Sequence, residues 1–196
     1  MKKSWIVIIV VALVIILTYG WVKNTYNTLV AKSEAVKAQW SQVENVYQRR
    51  ADLIPNLVNT VKGYAKHEKE TLEGVVQARA QATSVNIDAN KLNPQALKNF
   101  QQAQAGLTQA LSRLMVVVER YPDLKANQNF MELQAQLEGT ENRIAVERRR
   151  FNEVAQNYNT YLKTFPENII ANMFHFKEKA YFKAEAGAQK APTVKF

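Results

Sequence analysis

The sequence predicts an all-α protein: one transmembrane helix followed by a bundle of long, coiled-coil-like helices. Three observations carry that expectation. Eighteen consecutive residues near the N-terminus carry no charge. Beyond them, apolar residues recur at alternating steps of three and four. Strand signals are absent, with no alternating Val/Thr/Ile runs and no Asn-Gly hairpins.

The uncharged block is "WIVIIVVALVIILTYGWV", Trp5 to Val22. As a helix it spans roughly 27 Å, about the hydrocarbon thickness of a bilayer. Trp5 at one end, and Tyr19 and Trp21 at the other, suit the two interfaces. A cleaved signal peptide is the rival reading, with Lys2 and Lys3 as its basic start and Thr18-x-Gly20 as a small-residue site. The apolar run is long for that role and bulky Trp21 follows the cut, so a retained signal-anchor is expected. Lys2, Lys3 and the terminal amine favour a cytoplasmic N-terminus and an extracytoplasmic soluble domain. Lys23, Lys32 and Lys37 on the far side nearly balance them.

Four apolar seams follow. The first is Tyr26, Leu29, Ser33, Val36, Trp40, Val43, Tyr47. The second carries Ile54, Leu57, Val61 and Tyr64, then Leu72 and Val75 after a slip. The third runs from Leu97 through Phe100, Gln104, Leu107, Leu111, Leu114 and Val118 to Tyr121. The fourth runs from Phe130 through Leu137, Thr140, Ile144, Glu147, Phe151 and Tyr158 to Phe165. Polar residues within the seams (Ser33, Gln104, Thr140, Glu147) read as register-setting groups. "SVNIDANKLNP", 84–94, reads as a polar loop in which Asn93 caps the next helix and Pro94 occupies its first turn. Pro122 ends the third helix, and Asp123 or Asn127 caps the fourth. Both connections are short enough to join antiparallel neighbours.

Pro55 is the ambiguous position. Inside a helix it removes a hydrogen bond and crowds the carbonyl of Ala51, a cost of about 3 kcal/mol. In a first turn that cost largely vanishes, with Asp52 as N-cap and Leu53, Ile54 and Pro55 as the first three helical residues. Against the turn, the heptad count continues from Tyr47 to Val61 and no glycine marks a break. A tight hairpin and a kinked continuous helix both remain open.

Several stretches resemble the LemA family: "YNTLV" (26–30), "RRADLIPNLVNTVKGYAKHE" (49–68), "RYPDLKANQNF" (120–130), "LEGTENRI" (137–144), "FNEVAQNYN" (151–159) and "FPENIIANMF" (165–174). The resemblance covers nearly everything from Tyr26 onward. It implies a single N-terminal anchor in a bacterial inner membrane and an antiparallel four-helix bundle. It also tips Pro55 toward an inter-helix turn, with Arg49, Arg50 and Asp52 capping the helix ends. The motif residues are then Arg49, Arg50, Asp52, Pro55, Asn56, Tyr64, His67, Glu68, Tyr121, Pro122, Glu141, Asn142 and Arg143. The family is linked with membrane-bound heat-shock metalloproteases encoded nearby, and a divergent branch with magnetosome membrane formation. No activity is implied.

The residues themselves argue against catalysis. The chain has no cysteine and two histidines, so thiolate chemistry is excluded and no cofactor or metal is expected. His67-Glu68 would need a second histidine at position 71, which is Thr71, to make a zincin helix. The bland reading is local hydrogen bonding between His67 and Glu68. Glu138, Glu141 and Glu147 lie near Arg143, Arg148, Arg149 and Arg150 at spacings of surface ion pairs. Glu141 and Arg143 are within reach of the 49–52 stretch if the fourth helix packs against it. The net charge is +9, and without Lys2 and Lys3 the remainder holds 24 basic against 17 acidic residues. These are scattered without a nucleic-acid-binding motif, so nucleic acid is not an expected partner and anionic lipid is the economical one.

In the C-terminal stretch Ile169, Ile170, Met173, Phe174, Phe176, Tyr181 and Phe182 are interleaved with lysines. Three fates compete: folding back over one end of the bundle, which is favoured, a subunit contact, or an interfacial segment. The closing "KAPTVKF" reads as a frayed tail. The expected organisation is a basic N-terminus (1–4), a signal-anchor (5–22), the bundle (23–165) and an aromatic C-terminal segment (166–196). The expected function is a non-catalytic, self-associating scaffold that organises or remodels the membrane. An adaptor for a membrane metalloprotease is the alternative.

Overall fold

A computed structural model describes residues 3–89 and 92–183. Lys2 and the closing tail, with the expectations attached to them, lie outside these residues. The described chain is mainly helical, with α1 (Lys3–Tyr64), α2 (Lys69–Ser84), α3 (Pro94–Val118), α4 (Pro122–Lys125), α5 (Gln128–Lys163) and α6 (Glu167–Met173). No strand occurs among the described residues. The four long helices pack antiparallel in sequence order. Contacts between α1 and α5 pair Lys32 with Tyr161, Gln39 with Glu147 and Tyr64 with Asn127. One number rises as the other falls.

Helix α1 has 62 residues and is about 93 Å long. Its first part is the apolar block, whose large side chains from Trp5 to Tyr19 stand half or more exposed. It is the one helix among the described residues long and apolar enough to cross a membrane. The same helix enters the bundle without a break: Trp21 and Val22 already pack against the core, and Thr25 and Leu29 are fully covered.

Pro55 lies inside α1, and the turn implied by the family resemblance is not there. The chain reverses instead at residues 65–68, where the heptad rhythm slips between Tyr64 and Leu72. Ala65 plugs this corner with no exposure. The helix survives Pro55 because Ala51 O, left without its usual partner, accepts a 2.7 Å bond from Arg79 Nε of α2. Asp52 is consequently no N-cap. It sits exposed in mid-helix and accepts a bond from Gln48.

The other boundaries follow the sequence. Asn93 Oδ1 accepts from Ala96 N with Pro94 opening α3, and Asn127, rather than Asp123, caps α5 through Phe130 N. The 84–94 loop is less polar than expected, because Ile87 and Leu92 turn inward and are buried.

The interior divides into two apolar clusters. The distal one, around Ile54, Leu57, Val75, Leu107, Leu114 and Leu137, is enclosed by all four long helices. The one nearer the apolar block gathers Trp40, Tyr47, Phe100, Phe151 and Tyr158. Helix α2 does not reach this far. Its place is taken by Ile87 and Leu92 and by the C-terminal residues Ile170, Ala180 and Phe182.

Candidate functional site: the arginine layer and the C-terminal strap

Between the two apolar clusters lies a polar layer built on Arg50, which is 1% exposed. The heptad count of α1 places position 50 against the partner helices, and a guanidinium there must find acceptors or forfeit several kcal/mol. It finds them on two helices. Nη1 donates to Glu141 Oε1 of α5 at 2.6 Å and to Thr108 Oγ1 of α3 at 3.2 Å, while Nη2 donates to the side-chain oxygen of Gln104. The Tyr47 ring lies 5.1 Å from the guanidinium carbon. Gln104 in turn donates to Ala82 O at the end of α2. With Arg79 on Ala51 O, the layer ties α1, α2, α3 and α5 at one height.

Only Nε of Arg50 has no partner. Glu141 stays 45% exposed, so its Coulombic share is screened. The layer's value is then registry: each of the four helices meets its partner at one height only. No nucleophile–base pair converges here. A groove of about 320 Å³ runs beside it, lined by Glu44, Gln48, Thr83 and Gln104 among others. Burial pushes the Glu44 carboxyl up, opposed by the Trp40 indole one turn earlier.

The remaining motif residues fall into two groups. Glu68 Oε1 accepts from both Tyr121 Oη and Arg120 Nη2 at 3.0 Å, and Tyr64 Oη accepts from Asn127 at 2.9 Å. These bonds close the distal end, tying the 65–68 corner to the connection that begins at Pro122. The Glu68 carboxylate beside it raises the Tyr121 phenol above its ordinary value. His67 is exposed and does not bond Glu68, contrary to the local pairing expected. Arg49 reaches Gln136 at 3.5 Å on the surface, and Asn56, Asn142 and Arg143 are exposed. Arg143 therefore does not join Glu141 at Arg50. No group of three or more metal-ligating side chains occurs among the described residues.

The C-terminal segment forms a strap. After α6 the chain turns at His175 (φ 58°) and runs extended along α5. Two asparagines of α5 hold it by its backbone. Asn159 accepts from Lys179 N and donates to Lys179 O, and Asn152 does the same to Phe182, all at 2.8–3.0 Å. The spacing has a geometric reason. One heptad of helix rises about 10.5 Å, and three residues of extended chain about 10 Å, so asparagines at 152 and 159 meet backbone positions 182 and 179.

Tyr158 Oη donates to Lys177 O at 3.0 Å, and burial pushes that phenol up to about 12. Burial lowers the Lys179 ammonium, with Lys37 adding to the effect and Glu34 opposing it. Phe182 inserts between Trp40 and Phe151, with ring centroids 6.0 and 5.4 Å away.

Ile170 and Phe182 are thus core residues, 1% and 6% exposed, and are withdrawn as outward contacts. Phe176 is half-buried, and Tyr181 accepts a bond from Asn159. Ile169, Met173 and Phe174 remain open, at 51%, 55% and 47% exposure. The sequence reading assigned no role to Arg79, Asn152 or Asn159. The heptad-spaced asparagines were the one available signal.

A profile of the LemA family matches residues 39–196. The chain is 30% identical over 190 residues to magnetosome protein MamQ 2 of Paramagnetospirillum magneticum, covering 86% of this chain and 68% of that protein. It is 27% identical over 158 residues to protein LemA of Metamycoplasma hominis, covering 81% and 68% respectively. Magnetosome protein MamQ of Magnetospirillum gryphiswaldense is 28% identical over 178 residues, covering 80% and 64%. None of these names describes an enzyme.

Proposed function

This chain belongs to the LemA family, and on that premise we propose that it is a membrane-anchored, non-catalytic scaffold that self-associates and organises the membrane it enters. One observation carries the reading. The apolar block and the main bundle helix are a single uninterrupted helix. Without a flexible linker, the bundle is coupled rigidly to the anchor, so contacts between bundles act directly on the bilayer. Relatives named as magnetosome proteins support a membrane setting. Among the motif residues, Arg50 and Glu141 support the scaffold by tying its middle, and Tyr64, Glu68 and Tyr121 by tying its distal end.

The test is the mass of the full-length protein in detergent by light scattering. A uniform oligomer many times the 22.4 kDa chain is expected. A monomer across the accessible concentration range overturns self-association.

The adaptor reading draws on a different observation. An apolar groove between the end of α1 and α2, lined by Val58, Leu72, Val76 and Ala80, is rimmed by Lys62, Lys66 and Lys69. It suits an acidic amphipathic segment of a client or protease. Loss of a co-purifying protein in Val76→Glu, with oligomer mass unchanged, favours that reading.

A further inference from the structure

The structure places a second apolar surface beside the point where α1 leaves its apolar block. Helix α6 is apolar on two opposite sides. Ile170 and Ala171 are 1% exposed and pack into the bundle. Ile169 and Met173 stand one turn apart on the other side, 51% and 55% exposed, flanked by Phe165 in the turn before the helix at 75% and Phe174 just after it at 47%. A helix apolar on both sides is normally enclosed on both, and protein covers only one side of this one.

The position of α6 identifies the occupant. The Phe174 ring packs edge-on against Tyr26 at 4.8 Å, and Phe176 follows at 5.7 Å. Tyr26 is four residues past Val22, so about 6 Å along α1 from the end of the uncharged span. A headgroup layer is about 5–8 Å deep on each side of the hydrocarbon. Aromatic residues at this height, together with Tyr19 and Trp21, form the kind of belt that sits at a bilayer interface. The nearby exposed cations, Lys23 and Lys177, suit phosphate, while the acidic Glu167 is half-buried.

We propose that the outer face of α6, with Phe165, Ile169, Met173 and Phe174, lies in the headgroup layer of the same bilayer that α1 enters. It is a second membrane contact, peripheral where the first is spanning. Two contacts on one rigid body fix the tilt of the bundle over the surface, which one helix crossing alone does not. The strap supports this arrangement by holding the chain beyond α6 to α5 and so keeping α6 at the membrane-facing end.

The proposal rests on the membrane-anchored reading, and one experiment separates the two. The protein has no cysteine, so single cysteines carrying a nitroxide label report depth without other changes. Met173→Cys is compared with Val11→Cys in the apolar block and Met131→Cys, exposed at the distal end. Each full-length variant is reconstituted in vesicles of phosphatidylethanolamine and phosphatidylglycerol. Collision with oxygen and with a water-soluble nickel chelate is read by paramagnetic resonance, and Ile169→Cys repeats the measurement should Met173→Cys disturb packing.

The expected result is an oxygen-to-nickel ratio for Met173→Cys between those of the other two, shifted toward Val11→Cys. A ratio equal to that of Met131→Cys, with Val11→Cys reading hydrocarbon, overturns the second contact and leaves the anchor standing. A water-like ratio at Val11→Cys overturns both. Shielding of Met173→Cys from both reagents, with dipolar broadening between labels, assigns the face to a second copy and overturns the lipid contact.

Discussion

Arg79 and Pro55 form the clearest residue-level coupling in the molecule. Proline inside a helix deprives the carbonyl four residues earlier of its donor, and here a guanidinium from the neighbouring helix supplies one. A charge-assisted bond of this kind contributes about 1.5–3 kcal/mol. Arg79→Met is therefore expected to cost about 2 kcal/mol in the native sequence. In a Pro55→Ala background, where residue 55 again has an N–H for Ala51 O, the same change costs little. A double-mutant cycle on thermal unfolding of the full-length protein measures the difference, and a coupling near zero removes the account. Arg50 obeys the same logic at greater depth. The sequence marked it as a helix-end residue, but it is among the largest fully buried side chains. An arginine can be buried there only because Gln104, Thr108 and Glu141 arrive from other helices.

Among the elements, the strap departs most from ordinary bundle architecture. It contributes no helix, yet it supplies Ala180 and Phe182 to a core that α2 is too short to cover. Its pH dependence follows from Tyr158. The folded protein holds that phenolic proton up to about 12, above the ordinary value near 10. The folded state therefore binds more protons in this window. The folded state is therefore favoured by this group below pH 10, and that advantage is lost as pH rises through 12. The lowered Lys179 ammonium acts in the opposite sense, stabilising progressively as pH rises toward its ordinary value. Tyr158→Phe is expected to remove the alkaline loss while costing about 1 kcal/mol at neutral pH for the missing bond to Lys177 O. Limited proteolysis within 174–183, followed from pH 8 to 12, reads it out. Equal alkaline sensitivity in both proteins removes Tyr158 from the explanation.

The whole molecule is a rod, about 93 Å along α1, with one end apolar on all sides. Because α1 is continuous, distances along it are rigid. Inserting one heptad of helix-forming residues between Lys23 and Asn24 raises the bundle by about 10 Å and nearly restores its rotation. If α6 rests in the headgroups, this insertion lifts it into water. The oxygen-to-nickel ratio at Met173→Cys is expected to fall to that of Met131→Cys, while Val11→Cys is unchanged. A ratio at Met173→Cys insensitive to the insertion contradicts a rigid coupling.

The sequence by itself determined the parts that depend on local periodicity and local chemistry. The uncharged block, the apolar seams from Leu29 to Tyr158, the cap at Asn93 and the all-α class each follow from residues close together in the chain, because helical pitch and capping act over one or two turns. Tertiary structure decided what depends on residues far apart. Pro55 stays in a helix because of Arg79, 24 positions later in the numbering. Arg50 is buried because acceptors at 104, 108 and 141 reach it. The turn falls at 65–68, where only a slip in the heptads marked it. His175 adopts a left-handed conformation at the end of α6 where glycine would have advertised the stop. Asn152 and Asn159, to which the sequence reading assigned no role, hold an extended strap. In each case a neighbour brought in by the fold supplied the missing donor, acceptor or cover, and no pattern within one helix contains that neighbour.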